Sequence, residues 1–129
     1  MVERYYNEDK TASAVLVSNG YGAGWSTWNE GYEEPFQIAY DKRVVEFWIT
    51  HHDEEFIKKI SRDIFNYDEA GCANELEEFL DSIGYGGVYT GGYNGLDITW
   101  VPVGSRFAIT EYDGSEGLYI LDTNDFALA

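Results

Sequence analysis

A glycine-rich loop follows a short apolar segment near the start of the chain, in the stretch SNGYGAGWSTW that ends at Trp28. Glycines after a strand can turn their backbone N–H groups toward an anion such as a phosphate, and tryptophans can stack on a nucleotide base. The loop lacks the Gly-Lys-Ser/Thr of a P-loop, and Trp25 stands where a dinucleotide-binding G-x-G-x-x-G requires a third glycine. Two interpretations therefore stay open. One is a tight structural loop closed over the sheet by Trp25 or Trp28, and the other is a ligand or nucleotide site formed by Gly20, Gly22, Gly24, Trp25 and Trp28.

A second candidate is a run of carboxylates with few cations nearby. In the predicted helix CANELEEFLDSIGY, the pairs Glu75–Glu78, Glu77–Asp81 and Glu78–Asp81 are three or four residues apart, and Asp68 and Glu69 precede them. Each such like-charge pair costs a helix about 0.2–0.5 kcal/mol. Carboxylates one turn apart approach the spacing of phosphates along a nucleic-acid strand. The segment is thus either a merely solvated helix face or a mimic of a phosphate backbone, with partner-binding residues Asp68, Glu69, Glu75, Glu77, Glu78 and Asp81.

Two further groups of reactive side chains indicate little chemistry. His51 and Glu55 in HHDEE could share one helix face as metal ligands, but Asp53 between them is a better candidate for a helix cap. We therefore expect a polar helix junction and no metal site, although the sequence leaves open whether a metal binds near His51 and His52. Cys72 is the single cysteine, so no disulfide forms within one chain, and its acidic surroundings would not activate the thiol. No catalytic residue and no cofactor are predicted.

Charge is distributed unevenly along the 129 residues, which carry a formal net charge of −16. Residues 1–62 hold 11 acidic and seven basic residues, a balance of −4, whereas residues 63–129 hold 13 acidic residues and only Arg106, a balance of −12. Direct binding to nucleic acid or to an anionic membrane is unfavourable for such a chain, because both depend on Lys and Arg. A basic or nucleic-acid-binding protein is the more natural partner.

Three helices are predicted to position these groups. The first spans 41–50, where Val44, Phe47 and Trp48 recur at helical spacing although the segment also has strand propensity. The second, near 53–65, begins after a capping Asp53, and the third spans 72–83 and ends at Gly84.

Strands are predicted at 13–18, 96–103, 106–112 and 117–122, with alternating apolar residues and an Asp-Gly turn at 113–114. The order of elements indicates a single α+β domain, 1–129, with one antiparallel sheet of about four strands and three helices packed on one face. The expected core is Val15, Val17, Phe47, Ile60, Leu76, Phe79, Leu80, Ile98, Trp100 and Ile109.

Four stretches together carry a resemblance: AVLVSNGYGAGWSTW, AYDKRVVEFW, YTGG and WVPVGSRFAITEYDGSE. In these the chain resembles a family of small, largely uncharacterised proteins encoded by bacteriophages and prophages, over most of its length. The resemblance implies a phage origin and action inside a bacterium. It supplies no catalytic residue.

Charge and resemblance together predict a binding protein with a basic or nucleic-acid-binding host protein as its partner. The leading hypothesis is an inhibitor of a host defence protein, of the anti-CRISPR kind, that acts by nucleic-acid mimicry in the cytoplasm of the infected bacterium. The alternative is a small-ligand or nucleotide-binding protein, or a hydrolase, that uses the glycine-rich loop 19–28. A third possibility is a structural or virion component, which would self-associate. The polar N-terminus MVERYYNEDK is not typical of a signal peptide, and no apolar run is long enough to span a membrane.

Overall fold

A computed structural model describes residues 2–57 and 75–121 of the chain. The four strands are β1 (Ala12–Ser18), β2 (Leu96–Pro102), β3 (Arg106–Tyr112) and β4 (Ser115–Leu121). The helices are α1 (Gln37–Tyr40), α2 (Lys42–Thr50) and α3 (Glu75–Ser82), with 3₁₀ turns at Ser26–Trp28 and Gly91–Gly95 and a helical turn at 54–57. The α+β class predicted from the sequence is confirmed. Among the described residues, no helix is long and apolar enough to cross a membrane.

The first sheet is the antiparallel pair β1–β2, in which Ser18 pairs with Leu96 at one end. Its strand β1 is buried on both faces from Ala14 onward, as the continuous apolar run predicts. Helices α1 and α2 both pack against this strand, so β1 lies at the centre of the molecule.

The second sheet is the hairpin β3–β4, in which Tyr112 pairs with Ser115 across a two-residue turn. Asp113 and Gly114 both have positive φ, of 50° and 85°, as the Asp-Gly signal predicts for this turn. The expected single four-stranded sheet with three helices on one face is wrong, because the strands form two separate two-stranded sheets and α1 is a helix that the sequence did not predict.

The strands form two sheets instead of one because the edge of β1 that faces away from β2 is already occupied. Ala14 N donates to Tyr5 O there, at 2.8 Å, so part of this edge is paired with the N-terminal segment. Farther along the same edge, Ser18 N donates to the carboxylate of Glu116, at 2.9 Å. A side chain of β4 thus takes the position that a hydrogen-bonded strand would need, and the two sheets meet through it.

The segment KRVVEFWIT is helical, as its periodicity predicts against its strand propensity. Asp41 caps this helix by accepting from Arg43 N at 3.0 Å, and the helix ends at His51. Asp53 caps the following turn by accepting from Phe56 N at 2.8 Å. The rest of the predicted second helix, and the start of the third, lie outside the described residues.

Most of the predicted core is confirmed, with one error. Five of the expected residues are buried and three others are partly buried against them: Val15, Val17, Leu76, Leu80 and Ile109, then Phe47, Phe79 and Ile98. Ile60 lies outside the described residues. Trp100 is 44% exposed, and its neighbour Val101 is buried in its place. The side of β2 that faces the core therefore changes between Leu96 and Val101. Strict alternation of buried and exposed residues does not predict this change.

Candidate functional site

A buried carboxylate organises the glycine-rich loop. Glu116 is only 6% exposed, and its Oε1 accepts from Ser18 N at 2.9 Å. Its Oε2 accepts from Trp25 N at 3.0 Å, Thr27 N at 3.1 Å and Thr27 Oγ1 at 2.5 Å. The loop does therefore collect backbone donors around an anion, and that anion is the chain's own glutamate. This role of Glu116 was not predicted, because 91 residues separate it from Trp25 in the chain.

Gly22 and Gly24 are structural, as one of the two interpretations predicts, whereas a Cβ added to Gly20 would meet no atom within 4 Å. Gly22 has φ +84°, a conformation that favours glycine, and its N–H donates to Asp113 O in the β3–β4 turn. A Cβ on Gly24 would lie 2.7 Å from the ring of Trp28, so that ring needs a bare backbone beneath it. Trp25 is fully buried and fills the space under the loop.

These contacts bear on the nucleotide interpretation. The N–H groups of Gly22, Trp25 and Thr27 all donate to acceptors within the chain, so they are not free to hold a phosphate. Trp25 is enclosed in the core and presents no face to a base. These contacts favour the structural interpretation of the loop, and the ligand site at Gly20, Gly22, Gly24, Trp25 and Trp28 stays a prediction.

The carboxylates of α3 share the outer face of that helix. Glu75, Glu77, Glu78 and Asp81 are all exposed, whereas Leu76 and Leu80 are 1% exposed on the opposite face. The apolar face is held by Phe79, whose ring stacks on Phe47 of α2 at a centroid distance of 4.2 Å. Glu78 and Asp81 have no ion-pair partner among the described residues. Asp68 and Glu69, also predicted to bind the partner, lie outside the described residues, as does Cys72.

A pocket of about 460 Å³ opens beside this row of carboxylates. One wall is α3, and the other is the chain that leads toward the second 3₁₀ turn. Its lining is part acidic and part apolar: Glu77, Glu78, Leu80, Asp81, Tyr85, Gly87, Val88 and Thr90. A cavity of this size and composition suits a cationic side chain with an aliphatic stem, such as Arg or Lys.

A buried hydrogen-bond network fixes the Tyr85 side of the pocket. Tyr85 Oη donates to Asp41 Oδ2 at 2.7 Å and accepts from Gln37 Nε2 at 2.9 Å. Arg43 Nη2 also lies 2.7 Å from Asp41 Oδ2. The network ties the pocket to the cap of α2, so both depend on one carboxylate.

Burial and hydrogen bonds move two pKa values in this network in opposite directions. Burial, together with the neighbouring Asp41 carboxylate, raises the pKa of the Tyr85 phenol well above its ordinary value of 10.0, although the hydrogen bond from Gln37 opposes the shift. For Asp41, burial alone would raise the pKa. The hydrogen bonds from Arg43 and Tyr85 outweigh it and hold the pKa below its ordinary value of 3.8. Tyr85 is therefore a neutral donor and Asp41 a charged acceptor at neutral pH.

At the predicted polar junction HHDEE, each histidine ring stacks on an aromatic ring of α2. His51 lies 4.1 Å from Phe47 and His52 lies 4.1 Å from Trp48, measured between ring centroids. Asp53 breaks the helix between His51 and Glu55, as expected from its capping role. Within residues 2–57 and 75–121, no three His, Cys, Asp or Glu side chains are grouped closely enough to hold a metal ion.

A pair of exposed aromatic rings was not anticipated from the sequence. Trp28 and Tyr89 are 39% and 40% exposed, and their ring centroids are 5.0 Å apart. Trp28 was predicted either to cover the loop or to belong to the ligand site, whereas Tyr89 was not predicted as its partner, since 61 residues separate the two in the chain.

No family model matches this chain, and no curated protein or solved structure shows significant similarity to it. The resemblance to phage proteins therefore stays a prediction, and function has to be argued from the charge and geometry described above.

Proposed function

We propose that this chain is a phage-encoded binding protein that inhibits a host nucleic-acid-binding or defence protein by occupying its basic surface. The observation that carries the proposal is the row of exposed carboxylates on α3 beside a part-acidic, part-apolar pocket. A target that binds nucleic acid presents Lys and Arg side chains spaced to meet phosphates. The α3 carboxylates offer such a surface an alternative set of anions.

Charge and packing have separate tasks in this interaction. The net charge of −16 attracts a basic partner from a distance and accelerates association, an effect that salt weakens. The half-buried Val88 in the lining of the pocket provides apolar surface that excludes water around an inserted side chain. Specific protein complexes commonly combine charge attraction, which accelerates association, with a few buried side chains that supply most of the binding energy.

The proposal is tested by reversing two charges that have no partner among the described residues. We expect Glu78→Lys with Asp81→Lys to weaken capture of proteins from a bacterial lysate, relative to wild type. The fold should be unaffected or more stable by a few tenths of a kcal/mol, because Glu75–Glu78 and Glu77–Asp81 become opposite-charge pairs, while positions 78 and 81 remain a like-charge pair. Captured targets should be nucleic-acid-binding proteins, and added DNA should compete them off the wild-type protein.

A matched control changes the net charge equally at another place. Glu3→Lys with Glu8→Lys also raises the net charge by four, on two exposed side chains of the N-terminal segment, and within the part of the chain that the structure describes it removes only the long 4.0 Å ion pair between Glu3 and Lys42. This control should retain capture. Equal capture by both double variants would contradict the proposed role of α3, and wild-type targets that DNA does not displace would contradict mimicry.

A further inference from the structure

The exposed rings of Trp28 and Tyr89 rest on bare backbone. Trp28 lies over Gly24, where an added Cβ would come within 2.7 Å of its ring. Tyr89 lies over Gly91, where an added Cβ would come within 2.6 Å of Tyr89 Cζ. Two glycines from distant parts of the chain thus let two large rings lie close against the surface, tilted 49° to each other.

A buried asparagine holds the two ring-bearing segments together. Asn29 Nδ2 donates to Trp25 O at 3.0 Å and to Tyr89 O at 2.9 Å, and Asn29 Oδ1 accepts from Tyr89 N at 2.8 Å. Asn29 is only 8% exposed. The backbone under both rings is therefore fixed, and a ligand that stacks on them does not have to order it first.

We propose that Trp28 and Tyr89 form a stacking platform for an arginine side chain of the basic partner. The inference rests on the proposed function, since it names which residue type of that partner this surface recognises. A guanidinium group is planar and positively charged, so it stacks on aromatic faces, whereas the compact, strongly hydrated ammonium group of lysine does so less well. Exposed, rigidly held aromatic residues are also the side chains most often found to dominate binding energy.

The overall charge selects arginine over a nucleobase as the occupant. A base brings a phosphate with it, and a molecule with a net charge of −16 repels phosphates. Glu30, which follows the clamping Asn29, is exposed and adds a negative charge beside the platform. A cation is attracted by the same field that would exclude a nucleotide.

The platform and the acidic pocket are close enough to contact one partner. Val88 and Thr90 line the pocket, and Tyr89 lies between them in the chain. Consecutive Cα atoms are about 3.8 Å apart, and a standard interface covers about 800 Å² on each protein. One basic surface could therefore place a side chain in the pocket and an arginine on the platform at the same time.

The test compares two peptides of equal charge, hexa-arginine and hexa-lysine, by calorimetric titration at low salt. Charge attraction alone treats the two peptides alike. Stacking on the platform should make the arginine peptide bind about two- to fivefold more tightly. We expect Trp28→Leu to lose this part of the preference, about two- to fivefold, while hexa-lysine binding and the part of the preference due to bidentate pairing of guanidinium with carboxylates stay unchanged.

Trp100→Leu is the matched control, because Trp100 on β2 is 44% exposed and its ring lies against Tyr5, whereas Trp28 pairs with Tyr89. This variant should keep the preference for arginine. A second measurement uses the wild-type protein, so its result does not depend on whether Trp28→Leu folds. Hexa-arginine should shift the NMR resonance of the Trp28 indole N–H and leave the Trp100 resonance unchanged.

The outcomes separate this inference from the function on which it rests. If neither peptide binds at low salt, the proposed attraction to basic partners fails. If both bind equally to wild type and the Trp28 resonance does not move, that attraction stands and the arginine platform is wrong. A Trp28 shift caused by a single-stranded oligonucleotide but not by hexa-arginine would also overturn the inference, in favour of a nucleobase.

Discussion

Replacing Glu116 by Gln tests the idea that one buried carboxylate joins the glycine-rich loop to the second sheet. The side chain keeps its size, but one acceptor oxygen becomes an NH₂ group. If the amide oxygen keeps the three donors from Trp25 and Thr27, the NH₂ group faces Ser18 N, which also donates. Every orientation of the amide thus places a donor against a donor.

The size of the effect follows from these four bonds. A buried N–H left without an acceptor costs about 1–3 kcal/mol. The three remaining bonds also weaken, because hydrogen bonds to a charged acceptor are roughly twice as strong as those to a neutral one. Part of this loss is offset, since the variant no longer buries a charge. We expect Glu116→Gln to lower the free energy of unfolding by about 2–4 kcal/mol.

Urea unfolding at neutral pH measures this loss, with Glu111→Gln as the control. Glu111 is the cross-strand partner of Glu116, is exposed, and accepts a single hydrogen bond from Gly114 N at 2.9 Å. Its substitution should cost under about 1 kcal/mol, because the amide oxygen of Gln can still accept this one hydrogen bond. Equal losses for the two variants would refute the reasoning that Glu116 is the link between the sheets.

Two further predictions concern the cap of α2 and the loop. Because the pKa of Asp41 in the folded chain lies below 3.8, its stabilising effect is complete above about pH 4 and is lost as the pH falls toward that lower pKa. In urea titrations, the stability deficit of Asp41→Asn should therefore be full at pH 6 and shrink below pH 3.8, and a deficit independent of pH would contradict the assigned ionic role. Gly24→Ala should displace Trp28 and lower the free energy of unfolding by about 1–3 kcal/mol, as overpacking usually does. Gly20→Ala, where an added Cβ meets no atom within 4 Å, should change stability little, and equal effects in thermal melts would show that Trp28 does not need Gly24.

Local signals in the sequence were sufficient for most of the secondary structure. The spacing of Val44, Phe47 and Trp48 and the capping residue Asp41 predicted α2 against the strand propensity of the same residues. The alternation in β3 and the Asp-Gly turn predicted the hairpin. Helix α2 and the hairpin both depend on interactions between residues a few positions apart, so the sequence alone is enough to predict them. The exposed face of α3 follows in the same way, because Leu76 and Leu80 fix which side is buried.

Only the tertiary structure decided how these elements meet. The glycine-rich loop looked capable of holding an anion, and what the sequence could not reveal is that Glu116 supplies it from a strand distant in the chain. The same carboxylate, with the N-terminal segment, occupies the edge of β1 and keeps the two sheets separate. The Trp28–Tyr89 pair likewise depends on glycines from two segments. Contacts between remote residues leave no periodic trace, because the geometry that joins them exists only once the chain has folded.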